Sequence, residues 1–236
     1  TPGRLQRELP GAVIAGRQRF SSERPLAGLF ELGSIALGTG LPVGPAGIRL
    51  GTRQADDDEL ALALPAQLFN DGGINRVHVI SGGAVRLGDF RLDAGGELKL
   101  TGSGDSRIDG EVSIAGGTVA VDLLQPPALR PSLTVTEDAR IDVAGRWVND
   151  TPLLNPAGPT APLFIHGGEV RLGAAGDLTL EAGSLIDVSG AARLTAEGVL
   201  EAGRAGSIRL TSLPANAETF GTQMTLDGEL RGHGLE

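Results

Sequence analysis

From Leu163 to Gly190 the chain alternates. Val170 and Leu172, Leu178 and Leu180, and Ile186 and Val188 are separated by Arg171, Thr179 and Asp187, and each short run is closed by glycine. Side chains two apart share one face of a strand, so this period predicts short, half-buried strands. The residues between runs are few and mostly Gly, Ala, Ser and Asp, too few for a crossover helix and of the wrong composition for one. The chain is therefore expected to turn a corner and continue as strand.

The pattern recurs. Gly82-Gly83-Ala84-Val85-Arg86-Leu87-Gly88 returns as Gly167-Gly168-Glu169-Val170-Arg171-Leu172-Gly173, an offset of 85 residues, and Leu98-Lys99-Leu100 returns as Leu178-Thr179-Leu180, an offset of 80. Ile-Asp-Val-x-Gly stands at Ile141 to Gly145 and, 45 residues later, at Ile186 to Gly190, with a partial copy at Ile108-Asp109-Gly110. Degenerate repetition of strand, glycine corner and strand is what a stacked coil writes, so the expected class is all-β, a parallel β-helix or β-solenoid.

Residues 1–73 read as irregular, strand-rich leading coils with decorations, broken by Pro2, Pro10, Pro25, Pro42 and Pro45. Leu29 to Leu32, Ser34 to Leu37, Gly47 to Gly51 and Leu60 to Leu64 alternate as strands do, and Pro65 to Asn70, with Gly72-Gly73 just beyond, reads as one short helical turn. Residues 74–236 read as regular coils, interrupted by proline-rich loops near 125–131 and 149–162. The second loop is expected to lie outside the stack. Ala191 to Ala205, rich in Ala, Glu and Arg, fits either a short helix or an extended loop.

Composition agrees with a narrow aliphatic lumen: Gly numbers 37, aromatics are 3%, Tyr is absent and Trp147 is the single tryptophan. The net charge of −9 and the lack of a basic run argue against nucleic acid. Without cysteine there is neither disulfide nor thiol chemistry. No apolar run approaches the roughly 20 residues that span a bilayer, and the first residues are not a signal peptide, so an exported chain would be a mature internal piece. A coil stack cut between turns exposes unpaired strand edges, and end-to-end self-association through Leu226, Leu230 and Leu235 is expected.

Leu64-Pro65-Ala66-Gln67-Leu68-Phe69-Asn70-Asp71-Gly72-Gly73, Gly145-Arg146-Trp147-Val148-Asn149-Asp150, Gly183 to Gly190 and Ala205 to Leu210 together resemble the large exoproteins of the filamentous haemagglutinin family. The resemblance runs from about Leu60 onward. It implies a right-handed β-helix, export through an outer-membrane transporter of the two-partner type in a Gram-negative bacterium, and a place at the cell surface facing a host or bacterial glycan or protein. The family's amino-terminal secretion domain is not recognisable in the chain.

Candidate chemistry is sparse. His78, His166 and His233 have no ligand-like spacing, so no metal site is expected from them, nor is any cofactor. Gly-x-Ser-x-Gly and a glycine-rich phosphate loop before Lys99 are both missing. Asp56-Asp57-Asp58-Glu59 could attract Ca²⁺ but lacks a matching loop. Asp109, Asp142 and Asp187 occupy like places in the Ile-Asp repeats and are the candidate outer-face carbohydrate contacts; a solvated polar row is the plainer reading. The expected role is a structural rod segment acting in adhesion or in presenting a distal effector. A polysaccharide-binding or polysaccharide-cleaving β-helix is the alternative.

Overall fold

Each short alternating run becomes one side of a turn. A computed structural model describes residues 12–20, 25–34, 47–51, 61–65, 69, 73–123, 130–158, 161–212 and 222–234, and within them the chain is an all-β, parallel β-helix. Five successive turns visit three sheets in the same order. Sheet A takes Ile74–Ile80, Glu97–Thr101, Thr118–Leu123, Glu169–Ala174 and Ser207–Ser212. Sheet B takes Ala84–Leu87, Ser106–Ile108, Leu133–Val135, Leu178–Leu180 and Met224–Leu226, and sheet C takes Phe90–Arg91, Glu111–Ser113, Arg140–Asp142, Leu185–Asp187 and Glu229–Arg231.

Pairing is parallel and in register along each sheet. Val77, Leu98, Val119, Val170 and Ile208 stack in sheet A, and Phe90, Val112, Ile141, Ile186 and Leu230 stack in sheet C. The inward members from Val77 to Val188 are buried, so the lumen is one continuous, largely aliphatic core. A coil covers only the inner face of each sheet, which is why alternation survives in a parallel arrangement. Val170, Leu172, Ile186 and Val188 accordingly point inward while Arg171 is exposed and Asp187 is half-buried.

The amino end is built differently. Pro25–Ser34 extends sheet A and is paired antiparallel with Ala12–Phe20, and Gly47–Leu50 extends sheet B with Ala61–Leu64 parallel on its outer side. Phe69 is helical and fully buried; residues 66–68 and 70 of the expected helical turn lie outside the described residues, as do 35–37, 56–59 and 125–129. Phe69 meets Phe30 and Phe90 edge-on, with ring centroids 5.0 and 5.5 Å away. Three of the few aromatic rings thus fill this end of a lumen that is otherwise aliphatic.

Two repeat alignments need correction. Gly82-Gly83 leads into sheet B, whereas Gly167-Gly168 leads into sheet A; likewise Leu98 lies in sheet A and Leu178 in sheet B. The true counterparts of Gly168 are Gly96, Gly117 and Gly206, one per turn immediately before each of the last four sheet A strands, the first of the five having Asn75 at this place. Their carbonyls accept from the next turn: Thr118 N donates to Gly96 O at 2.8 Å, Glu169 N to Gly117 O at 2.8 Å and Ser207 N to Gly168 O at 3.0 Å. A Cβ on Gly168 would stand 2.0 Å from Gly117 O, and one on Gly206 1.8 Å from Gly168 O. Only hydrogen fits where backbone stacks on backbone at this corner.

In the last described turn the inward Leu226 and Leu230 are 47% and 45% exposed, no further turn covering them among the described residues. Here Arg231 Nη2 donates to Glu229 Oε2 at 2.9 Å. That hydrogen bond holds the Glu229 carboxyl below its ordinary value, against a smaller opposing push from burial and from Asp187. A depressed folded-state pKa contributes stability above the unfolded value of about 4.3, and that contribution is lost as pH falls through the folded value. Amide exchange across Glu229–Arg231, corrected for its intrinsic pH dependence, is expected to quicken as the pH falls below the ordinary glutamate range. The acid response should be absent in Glu229→Gln; an identical response there would refute the assignment.

Candidate functional site

The register decides which of the three aspartates meet. Asp142 and Asp187 are direct partners on sheet C, in an outward column that runs Arg91, Ser113, Asp142, Asp187, Arg231. Asp109 does not join them. It follows Ser106–Ile108 of sheet B, its amide donating to Leu87 O at 2.9 Å, and so stands at the B-to-C corner. The partial Ile108-Asp109-Gly110 copy therefore belongs to another face.

Asp142 and Asp187 are each half-buried and each turns one oxygen back on the chain: Ala144 N donates to Asp142 Oδ1 at 2.9 Å and Ser189 N to Asp187 Oδ1 at 2.8 Å. These local bonds close the turn that follows each strand. Like charges directly opposite one another on adjacent strands oppose pairing, and Arg231 beside Asp187 offsets part of that cost. The remaining carboxylate oxygens are acceptors, suited to hydroxyl donors.

His78 lies between the buried Val77 and Val79 and faces outward, with Nδ1 3.8 Å from Glu31 and Nε2 3.4 Å from Glu97. His166 Nδ1 accepts from Arg204 N at 3.0 Å, and His233 N donates to Ser189 Oγ at 3.1 Å. These are three separate places. Among the described residues no three or more His, Cys, Asp or Glu side chains converge as metal ligands would.

Sequence reasoning missed a side lobe. Two long connections, residues 143–168 and 188–206, leave from the C-to-A corner of successive turns, so their chains are neighbours. Val148–Asn149 pairs parallel with Ala192–Leu194, which pairs antiparallel with Leu200–Ala202. Ala191 to Ala205 is thus largely a hairpin rather than a helix or open loop. The lobe is rooted where Arg146 N donates to Phe164 O and Ala191 N to Ile165 O, both at 2.7 Å. Phe164 lies over Gly95 and Gly116, whose φ values of 74° and 60° favour glycine; a Cβ on Gly95 would come 2.2 Å from the ring.

An ionic cluster holds the lobe together. The Asp150 side chain is completely buried; Arg193 Nε donates to its Oδ2 at 2.6 Å and Asn155 Nδ2 to its Oδ1 at 2.8 Å. Arg193 Nη1 also donates to Glu201 Oε2 at 3.1 Å. The Asp150 hydrogen bond, ahead of that from Glu201, keeps the Arg193 guanidinium above its ordinary pKa despite burial. A buried carboxylate needs such partners, since desolvation without them is costly. Arg193→Met is expected to release the hairpin, raising amide exchange at Ala192–Leu194 and Leu200–Ala202 while Glu169–Ala174 stays protected. Unchanged exchange in both hairpin strands would show that the cluster does not hold them.

The lobe also exposes apolar side chains, with Leu153 at 90%, Trp147 at 69% and Leu154 at 68%. The sequence signal for the lobe was the 45-residue spacing of Ile141 and Ile186, which puts the two insertions on adjacent turns. No family model matches the chain, and neither a curated protein nor a solved structure matches it.

Proposed function

We propose that this chain is a rod segment of a secreted, surface-displayed exoprotein of the filamentous haemagglutinin type, acting in adhesion or in holding a distal effector away from the cell. The observation that supports the reading is the continuous, largely aliphatic ladder that runs from turn to turn, a build suited to a spacer. Each turn adds about 4.8 Å along the axis, so reach grows with the number of turns. The stacked Asp142 and Asp187 engage their own following turns, as expected of a solvated structural row. Export through an outer-membrane transporter of the two-partner type in a Gram-negative bacterium follows from the resemblance in the motifs.

An antibody against the chain should label intact cells of the producing organism, and labelling should vanish when the outer-membrane partner is deleted. Retention of the protein inside the cell with the partner present would overturn the reading. Incubation with acidic and neutral polysaccharides tests the enzymatic alternative. New reducing ends or unsaturated products, lost in Asp187→Asn, would replace a rod with a catalyst.

A further inference from the structure

Although the chain is acidic, the outer face of sheet A gathers cations, as does sheet B where Arg49, Arg86 and Arg107 stack in register. Lys99, Ala120, Arg171 and Arg209 are direct partners on successive strands, so their side chains form one outward column. The neighbouring column two residues on holds Thr101, Asp122, Gly173 and Thr211. Ala120 and Gly173 are short where their neighbours are long, and between the columns lies a depression of about 280 Å³ edged by Lys99, Arg171 and Arg209. Three cations surround it although the chain carries a net charge of −9. Asp122 is the single acid among the residues lining it.

Only one of these cations is paired within the protein. Arg171 is engaged by Glu169 on its own strand, Nε to Oε1 at 2.9 Å and Nη2 to Oε2 at 3.0 Å. Lys99 and Arg209 have no hydrogen bond or ion pair with any described residue. Arg171 and Arg209 face each other across one strand spacing, an arrangement that costs stability. Two unpaired cations and a third shared with Glu169, around a hollow whose one lining acid is Asp122, fit an anionic ligand.

We infer that this face binds an acidic polysaccharide, a uronate chain lying along the rod axis across the strands. Its carboxylates meet Lys99 and the Arg171–Arg209 pair, and the C–H face of a pyranose ring rests on Ala120 and Gly173. Thr101 and Thr211 supply hydroxyl partners for the sugar. Single-stranded nucleic acid would want aromatic platforms for its bases, and none lines the hollow. The site deepens the display reading, yet binding by the purified chain stands or falls whether or not the chain reaches a cell surface.

Calorimetric titration of the full chain with oligogalacturonate, a neutral galactan oligomer and a single-stranded DNA oligomer tests it. The uronate should bind at least tenfold more tightly than the other two and weaken with added salt. Lys99→Gln with Arg209→Gln should lower uronate affinity tenfold or more, with the thermal midpoint not lowered. Ala120→Gln keeps every charge and fills the hollow, and should cost a similar factor. Unaltered uronate affinity in either variant, no uronate binding, or DNA or neutral galactan bound as tightly as the uronate would overturn the inference.

Discussion

Ile186→Asp is expected to unfold the turns around sheet C from Arg140 onward, while Asp187→Val, one position away, leaves them folded. Ile186 is fully buried between Ile141 and Leu230 in its column. A carboxylate there loses the apolar contacts and gains no partner, a penalty on the order of 5 kcal/mol against a typical total stability of about 5–15 kcal/mol. Asp187→Val gives up one hydrogen bond from Ser189 N, worth about 1 kcal/mol. It also removes a like charge facing Asp142 and adds a residue that favours strands. Thermal melts of the two variants decide the matter: equal midpoints would mean that the inside and outside of sheet C are misassigned.

Gly168→Ala is expected to be the other severe change, with a different cause. The atoms its Cβ would strike, Gly117 O at 2.0 Å and Gly117 N at 2.8 Å, belong to the backbone of the preceding turn and cannot rotate away. The turn spacing must open at that corner, at a cost of about 3 kcal/mol or more. For a chain of this size that is a fall in Tm on the order of 10 °C. Gly232→Ala is the control, its nearest neighbour being Val188 Cγ2 at 3.5 Å. A Gly168→Ala midpoint within about 2 °C of the control would remove the glycine corner from the list of what holds the coil together.

The strands were legible in the sequence because burial on one face writes itself as alternation, and Val170-Arg171-Leu172 could hardly be anything else. What local pattern does not encode is which sheet a strand joins. Gly82-Gly83-Ala84-Val85 and Gly167-Gly168-Glu169-Val170 are alike because both turn a glycine corner into a strand, yet one enters sheet B and the other sheet A. Sheet membership depends on how much chain is consumed per turn, and insertions change that. The same limit hid the lobe. Ala191 to Ala205 has helix-forming composition, but its strands are set by pairing with Val148–Asn149 and by Asp150, far away in sequence. Of the three aspartates, the two inside full Ile-Asp-Val-x-Gly copies stack and the partial copy does not, so the completeness of the motif carried the register.

The unequal length of the turns bears on the order in which the molecule assembles. Val77 to Leu98 and Leu98 to Val119 are 21 residues each, whereas Val119 to Val170 is 51 and Val170 to Ile208 is 38. Closing the longer returns costs about 0.8 and 0.5 kcal/mol more in chain entropy than closing the short ones. Nucleation therefore favours residues 74–123, the stretch with no inserted lobe, and later turns zip onto a template already formed. The decorated turns are then expected to join last, and enlarging or trimming the lobe should have little effect on the step that commits the chain to its fold.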